Sequence, residues 1–506
     1  EIINEKAKTI ANFNYIDEKW ADADKLSETF TRDIATKSGN KVMDMYFRQC
    51  YLDNFLRGGY PFVFKGEDKN KVVHLFSRKH GDPERDYNFF SIAAEYYSQG
   101  DGNFRDVLQN RRNDVLFHPD VNDFNIEMFF SYIQFNGYNP LCVKGTTFTV
   151  LENKKEEIEK IVSSCVSERR EVVDKILCKN FTAGSLINGI YNNHAKLSVP
   201  DDEFLGKVLA CCEQNFEAST DKFGNWSDHW DYLLDLIENY LKVYPDKLEQ
   251  LLFDNKNYKY FDSDVFVLPR SEKYMFDGKS ARQFDSFIIE TDRYEKGYVK
   301  DGTNWLKDEK GNVYKTNLIE KIFSLCVNKF ALLDPMQMGI EMEANRAGWC
   351  DATNGLPSMF GSGMSETFEL LSLCKFAVSA FEKFADREIK IPVELNDFFK
   401  KINKSVDNYN LEFKFWDEVS TAREEFRQKV RYTISGKTVT VKLCDLAEEL
   451  KKYIDIINKG IKKAVEFGNG FCPTYIKYNA TDFEILNDKR PGYPTVKVNA
   501  FEPVHV

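Results

Sequence analysis

Apolar positions along this chain fall mostly at helical spacing. Val42, Met45, Tyr46, Cys50, Phe55 and Leu56 predict a helix over 41–56, stopped by Arg57-Gly58-Gly59-Tyr60-Pro61. Two short extended pieces follow, at 61–65 and 72–76, and then a polar loop at 77–85. Helices are expected at 87–99, 104–116 and 122–135, with Gly100 to Gly102 and His118-Pro119 between them. A charged amphipathic segment covers 154–178, and a helix at 203–216 starts behind Pro200-Asp201-Asp202. Trp230, Leu233, Leu234, Ile237 and Leu241 form the clearest stripe in the chain, closed by Tyr244-Pro245. Residues 257–300 are irregular, with a strand expected within 283–291. A hairpin is expected over 308–313. Leu318, Ile322, Leu325 and Cys326 mark one further helix, and Leu370, Leu373, Cys374, Ala377 and Phe381 mark another. Helices over 392–409, 413–432 and 443–467, with a hairpin at 432–443, complete the pattern.

Roughly a dozen helices without βαβ alternation or a fixed repeat predict an all-α fold. The expected form is an (α/α)6 barrel, a toroid with long functional loops at one end and small β-hairpins. Residues 1–40 are read as an N-terminal helical or linker segment, and 41–506 as the barrel, incomplete at its C-terminus. The chain lacks an initiator Met, a signal peptide and a closing cap, which predicts a piece of a longer polypeptide carrying further domains.

Composition narrows the function classes. The net charge is −11, which argues against an extended nucleic-acid surface. No apolar run approaches the roughly 18 residues of a membrane span, so no membrane partner is expected. Eleven Cys without a C-x-x-C pair fit reduced core thiols in a cytoplasm. The six His are scattered, and no metal site is expected. The 25 Tyr, 42 Phe and 6 Trp would serve a large core or a sugar-stacking cleft equally well.

Four stretches could carry chemistry. In Asp101 to Asp114, Arg105, Asp106 and Gln109 open a helix and could bind sugar hydroxyls, although a capped helix with a surface Arg-Asp network fits the same residues. In Gly224 to Trp230, Trp226 could stack on a sugar and Asp228 contact it, or Ser227 and Asp228 could simply cap the helix. His80 to Asp86 reads as a loop at a cleft rim or as a solvated, cap-forming loop. The densest stretch is Arg346 to Thr367. There Trp349 and Asp351 stand two apart and breakers surround them, so Asp351 is either an acid beside an indole or an Asp that pins a turn.

The string Gly348-Trp349-Cys350-Asp351-Ala352-Thr353-Asn354-Gly355-Leu356-Pro357 resembles the catalytic loop of the cellobiose phosphorylase family and related inverting β-glucan oligosaccharide phosphorylases. Their common form is Trp-Asn-Asp-Gly, and Cys350 stands where the Asn is usual. Phe104-Arg105-Asp106-Val107-Leu108-Gln109-Asn110 is similar to the family's Tyr-Arg-Asp-x-x-Gln-Asp segment, in the same order along the chain. The resemblance implies the (α/α)6 barrel, Asp351 as general acid, Trp349 beside it at the sugar subsite, and Arg105 and Asp106 holding that sugar. It also implies phosphorolysis of a β-linked gluco-oligosaccharide, with inorganic phosphate as co-substrate and no other cofactor. The Asn354 to Pro357 extension resembles the oligoglucan-acting relatives. The family's downstream His and Thr-Gly phosphate elements have no counterpart before Val506, so the phosphate-binding residues stay unassigned. An inverting hydrolase and a non-catalytic sugar-binding toroid remain open, as do the linkage and a homodimer.

Overall fold

The computed structural model describes residues 2–66, 69–76, 95–220, 225–226, 230–298, 303–344, 355–490 and 492–506. The all-α expectation is corrected by what they form. The chain is 51% helix and 21% strand, and among the described residues a six-stranded antiparallel sheet stands beside one three-stranded and six two-stranded sheets. An (α/α)6 toroid does not accommodate that sheet.

The helical body holds the largest core. Helices Leu318–Phe330, Ser365–Lys383, Val393–Asp407, Glu412–Lys429 and Leu443–Phe467 supply most of its C-terminal half. Every residue of Leu318–Phe330 is buried, so this helix is wrapped on all sides by its neighbours. Phe330 stacks on Tyr453 at 3.7 Å, and Phe398 on Phe426 at 4.4 Å. A second core lies under residues 148–212, where helices Lys155–Cys165, Arg170–Leu177, Ala183–Asn192 and Asp201–Ala210 pack together. The expected segment 154–178 is therefore two helices. A short strand, Val166–Glu168, and Arg169 in the left-handed region (φ 58°) break it. The helix expected over 203–216 stops at Ala210, and Cys212–Asn215 pairs with Thr147–Val150 instead.

The third core belongs to the C-terminal sheet. Strands Tyr475–Arg490 and Tyr493–His505 form a long antiparallel hairpin. Its second strand meets Tyr274–Phe276, and its first meets Ser362–Gly363. Ser362–Gly363 in turn pairs with Ile340–Glu341. Trp416, Phe360 and Phe501 close this sheet onto the helical body, with the Trp416 and Phe501 rings edge-to-face at 5.4 Å. The expected hairpin at 432–443 is also replaced: Thr438–Lys442 pairs with Glu388–Pro392, some 50 residues earlier. Both strands alternate β-branched with polar residues, a period-2 signal that the surrounding helical spacing obscured.

Candidate functional site

Residues 138–143 join two of the four candidate stretches and Glu343, which precedes a third. The chain leaves helix Phe124–Tyr132 through a tight turn, in which Gly137 has φ +84° and a Cβ would stand 2.7 Å from Asn328 Cβ. Tyr138 follows, buried, with its hydroxyl donating to Glu343 Oε1 at 3.0 Å and accepting from Arg427 Nη2 at 2.7 Å. Asn139–Pro140 then pairs with Asn225–Trp226. Cys142–Val143 pairs with Gly102–Asn103 on one side and Ala218–Ser219 on the other. Six consecutive residues thus touch Glu343, the Asn225–Trp226 strand and the lead-in to Arg105.

The Arg105 helix, Phe104–Arg111, starts where Asn103 caps it, its side chain accepting from the Arg105 amide at 3.0 Å. Arg105 and Asp106 are partly exposed and paired with each other at 2.8 Å, and Gln109 is exposed. Trp226 is described only as backbone. Asp228, Trp349, Asp351 and Asn354 lie outside the described residues, as does the stretch His80 to Asp86. At the end of the Gly224 to Trp230 stretch, Trp230 is buried, with the Lys329 ammonium 5.2 Å from its ring and 5.7 Å from that of Tyr138. The predicted stripe holds from Leu233 to Val243, with Trp230 in the turn before the helix.

The described residues on either side of 345–354, which serve as two stems, are tied together. Gln283 Nε2 donates to Met342 O at 2.9 Å and to Pro357 O at 3.1 Å, so one buried amide spans the two legs. Its Oε1 accepts from Ser286 Oγ at 2.8 Å, and Ser286 Oγ accepts from the Ala344 amide at 2.9 Å. The Met342 amide donates to Gly361 O, and the Gly361 amide to Leu356 O. Asp334 organises the turn before the stem, taking amides of Met336, Met338 and Gly339 and the Ser362 hydroxyl.

Beneath the stem lies a buried ionic cluster. Glu343 pairs with Lys273 and stands 3.7 Å from Arg427. Burial opposes its charge, but Lys273, Arg427 and Arg423 outweigh that and hold it at about 2. Lys273 is itself held below its ordinary range by burial, and Arg427 and Arg423 repel it further while Glu343 pulls the other way. Both directions describe one carboxylate among three cations. Glu341 accepts from Arg423 at 2.8 Å and from Trp416 Nε1 at 2.6 Å.

The sequence reading missed Tyr138, Lys273, Glu343, Arg423 and Arg427. A signal existed for three of them. Arg423 and Arg427 stand i, i+4 on the face that Val419 and Phe426 bury, and Glu341 and Glu343 alternate along an extended stem, so each is a charge where an apolar residue is expected. Tyr138 and Lys273 carry no such local mark.

No family profile matches the chain, and no curated protein matches it. Among the described residues, no helix is long and apolar enough to cross a membrane, and no group of three or more His, Cys, Asp or Glu is placed to hold a metal ion.

Proposed function

We propose that this protein is an inverting glycoside phosphorylase, cleaving a β-linked gluco-oligosaccharide with inorganic phosphate to release α-glucose 1-phosphate. The reading rests on the Trp349 and Asp351 string and the Arg105 and Asp106 string. The observation that carries it is their common support: the lead-in to Arg105, the Trp226 strand and the loop stem all attach to residues 138–143. Sites for extended sugars draw side chains from several loops onto one rigid base.

In this reading Asp351, protonated, gives its proton to the glycosidic oxygen while phosphate attacks the anomeric carbon from the opposite face. Phosphate is already an anionic nucleophile, so one carboxyl suffices. An inverting hydrolase needs a second carboxylate to activate water, about 6.5 to 9.5 Å away. Glu341 and Glu343, the described carboxylates of the stem, are both tied into ion pairs, and Glu343 is too weak a base to take a proton near neutrality.

The test is synthesis in reverse: α-glucose 1-phosphate with a panel of gluco-oligosaccharide acceptors, scoring phosphate release. Asp351→Asn is expected to lower the rate by about 10²- to 10⁴-fold, the usual worth of a positioned general acid, with substrate binding largely retained. Oligosaccharide cleavage in phosphate-free buffer would replace this reading with hydrolysis. An Asp351→Asn protein unchanged in every activity and affinity would leave a sugar-binding role.

A further inference from the structure

We propose that the two long N-terminal helices form a dimer interface, a face that packs against the same face of a second copy of this chain. Helix Phe13–Thr31 carries Phe13, Ile16, Trp20 and Ala23 along one side, at the i, i+3, i+7, i+10 spacing of a coiled-coil seam. All four are exposed, Phe13 at 81% and Trp20 at 72%. Helix Lys41–Gly58 adds Val42 and Met45 one turn apart, exposed at 76% and 70%.

Both helices are anchored elsewhere along their length. Arg48 Nε and Nη2 donate to Thr31 Oγ1 at 3.0 and 2.9 Å, Phe30 packs on Tyr60 at 5.1 Å, and Tyr51 and Phe55 are buried. Among the described residues of helix Phe13–Thr31, Thr31 alone is buried. The six apolar residues therefore stand in water on the N-terminal halves. Together they offer on the order of 700 Å² of apolar surface, more than the roughly 300 to 600 Å² of the largest patch on a typical monomer. Each partner of a standard interface covers about 800 Å², so the stripes and their polar rim match what a stable dimer needs.

Spacing and charge choose the occupant. A seam of this spacing is filled by another of the same spacing, and a two-fold axis supplies it. Lys19 and Asp24 flank the seam at positions that oppose each other across a parallel pair, so Lys19 on either helix meets Asp24 on the other. Within its own helix Lys19 pairs with Asp22 at 2.7 Å, but both side chains are more than half exposed, and exchanging one such partner for another costs little. Residues 1–58 carry nine Lys and Arg against ten Asp and Glu, so the chain's net −11 lies elsewhere and does not oppose the contact. A membrane surface fits worse, because helix Phe13–Thr31 holds five acidic residues and two basic ones, the reverse of what anionic lipid attracts. Gly58 O accepts from Arg111 Nε at 2.7 Å, so the dimer would brace the helix that carries Arg105 and Asp106. The inference is independent of the phosphorylase reading.

Sedimentation velocity of the unmodified protein over about 1 to 100 µM tests it, with a species of twice the 58.9 kDa chain mass expected to grow with concentration. Trp20→Glu sets a charge in the middle of the seam and should weaken association about tenfold or more, with the circular dichroism spectrum unchanged. Phe471→Glu, at a site equally exposed as Phe13, should leave association as it was. The proposal is overturned by a monomer across the whole range, by association that Trp20→Glu leaves within twofold, or by a monomer that co-sediments with phosphatidylserine vesicles, which would make the face a membrane contact. If Trp20→Glu does not fold, Phe13→Glu replaces it, and the mass of the unmodified protein decides on its own.

Discussion

Replacing Gln283 by Met would test whether the candidate loop is held by its stem. The two side chains are similar in volume, so the change deletes hydrogen bonds with little change in packing. Three bonds go: those from Nε2 to Met342 O and Pro357 O, and the one from Ser286 Oγ to Oε1. Each is worth about 1 kcal/mol net, and the groups left behind are buried, so the local loss is about 3 kcal/mol. At 1.4 kcal/mol per decade this is about a 100-fold increase in local opening, read by hydrogen exchange at the amides of Met342, Ala344 and Gly361. Amides in Leu318–Phe330 serve as the internal reference, because that helix is buried throughout and should exchange only on global unfolding. Faster exchange confined to the two stems supports the clamp. Stem exchange within threefold of the unmodified protein, or an equal rise in the reference helix, refutes it. Under the proposed function the same variant should also lose reverse-reaction rate.

Other predictions probe packing and charge. Tyr138→Phe removes the hydroxyl between Arg427 and Glu343 and should cost about 1 to 3 kcal/mol by urea unfolding, while Tyr46→Phe, at a 64% exposed site, should be neutral. Two helical glycines should respond with opposite signs. At Gly206 a Cβ meets nothing within 4 Å, so Gly206→Ala should stabilise by up to about 1 kcal/mol; at Gly460 it would lie 1.7 Å from Gln337 O, so Gly460→Ala should destabilise by about 3 kcal/mol. Burial raises Glu320 to about 7, although Thr316, Tyr314 and Tyr260 hydroxyls favour its charge. The folded state therefore binds that proton more tightly than the unfolded chain. Its contribution is fully present below about pH 4.5 and is lost as pH rises through about 7. Relative to Glu320→Gln, the unmodified protein should lose on the order of 3 kcal/mol of stability between pH 4.5 and 8, measured by urea unfolding across that range.

Local pattern alone placed the long helices. The stripes at Leu318 to Cys326 and Leu370 to Phe381, and the stretches 392–409 and 443–467, all became helices, because an apolar face at 3.6-residue spacing has few other ways to be buried. The Arg346 to Thr367 stretch runs out into helix Ser365–Lys383, and a short strand, Ile340–Glu341, and a turn precede it. What the pattern could not supply was any pairing between distant segments. Thr438–Lys442 finds Glu388–Pro392, the C-terminal hairpin finds Ser362–Gly363, and together such pairings turned an expected helical toroid into a mixed fold. A strand's partner is chosen by register and by what covers its faces, and neither is written in the strand itself. The cluster under the loop follows the same logic. Tyr138 and Lys273 carry no mark in the sequence, and the charges at Glu343 and Arg427 do not by themselves say what they meet. Only the tertiary structure brings one carboxylate among three cations, and only there do charge and burial act on one another.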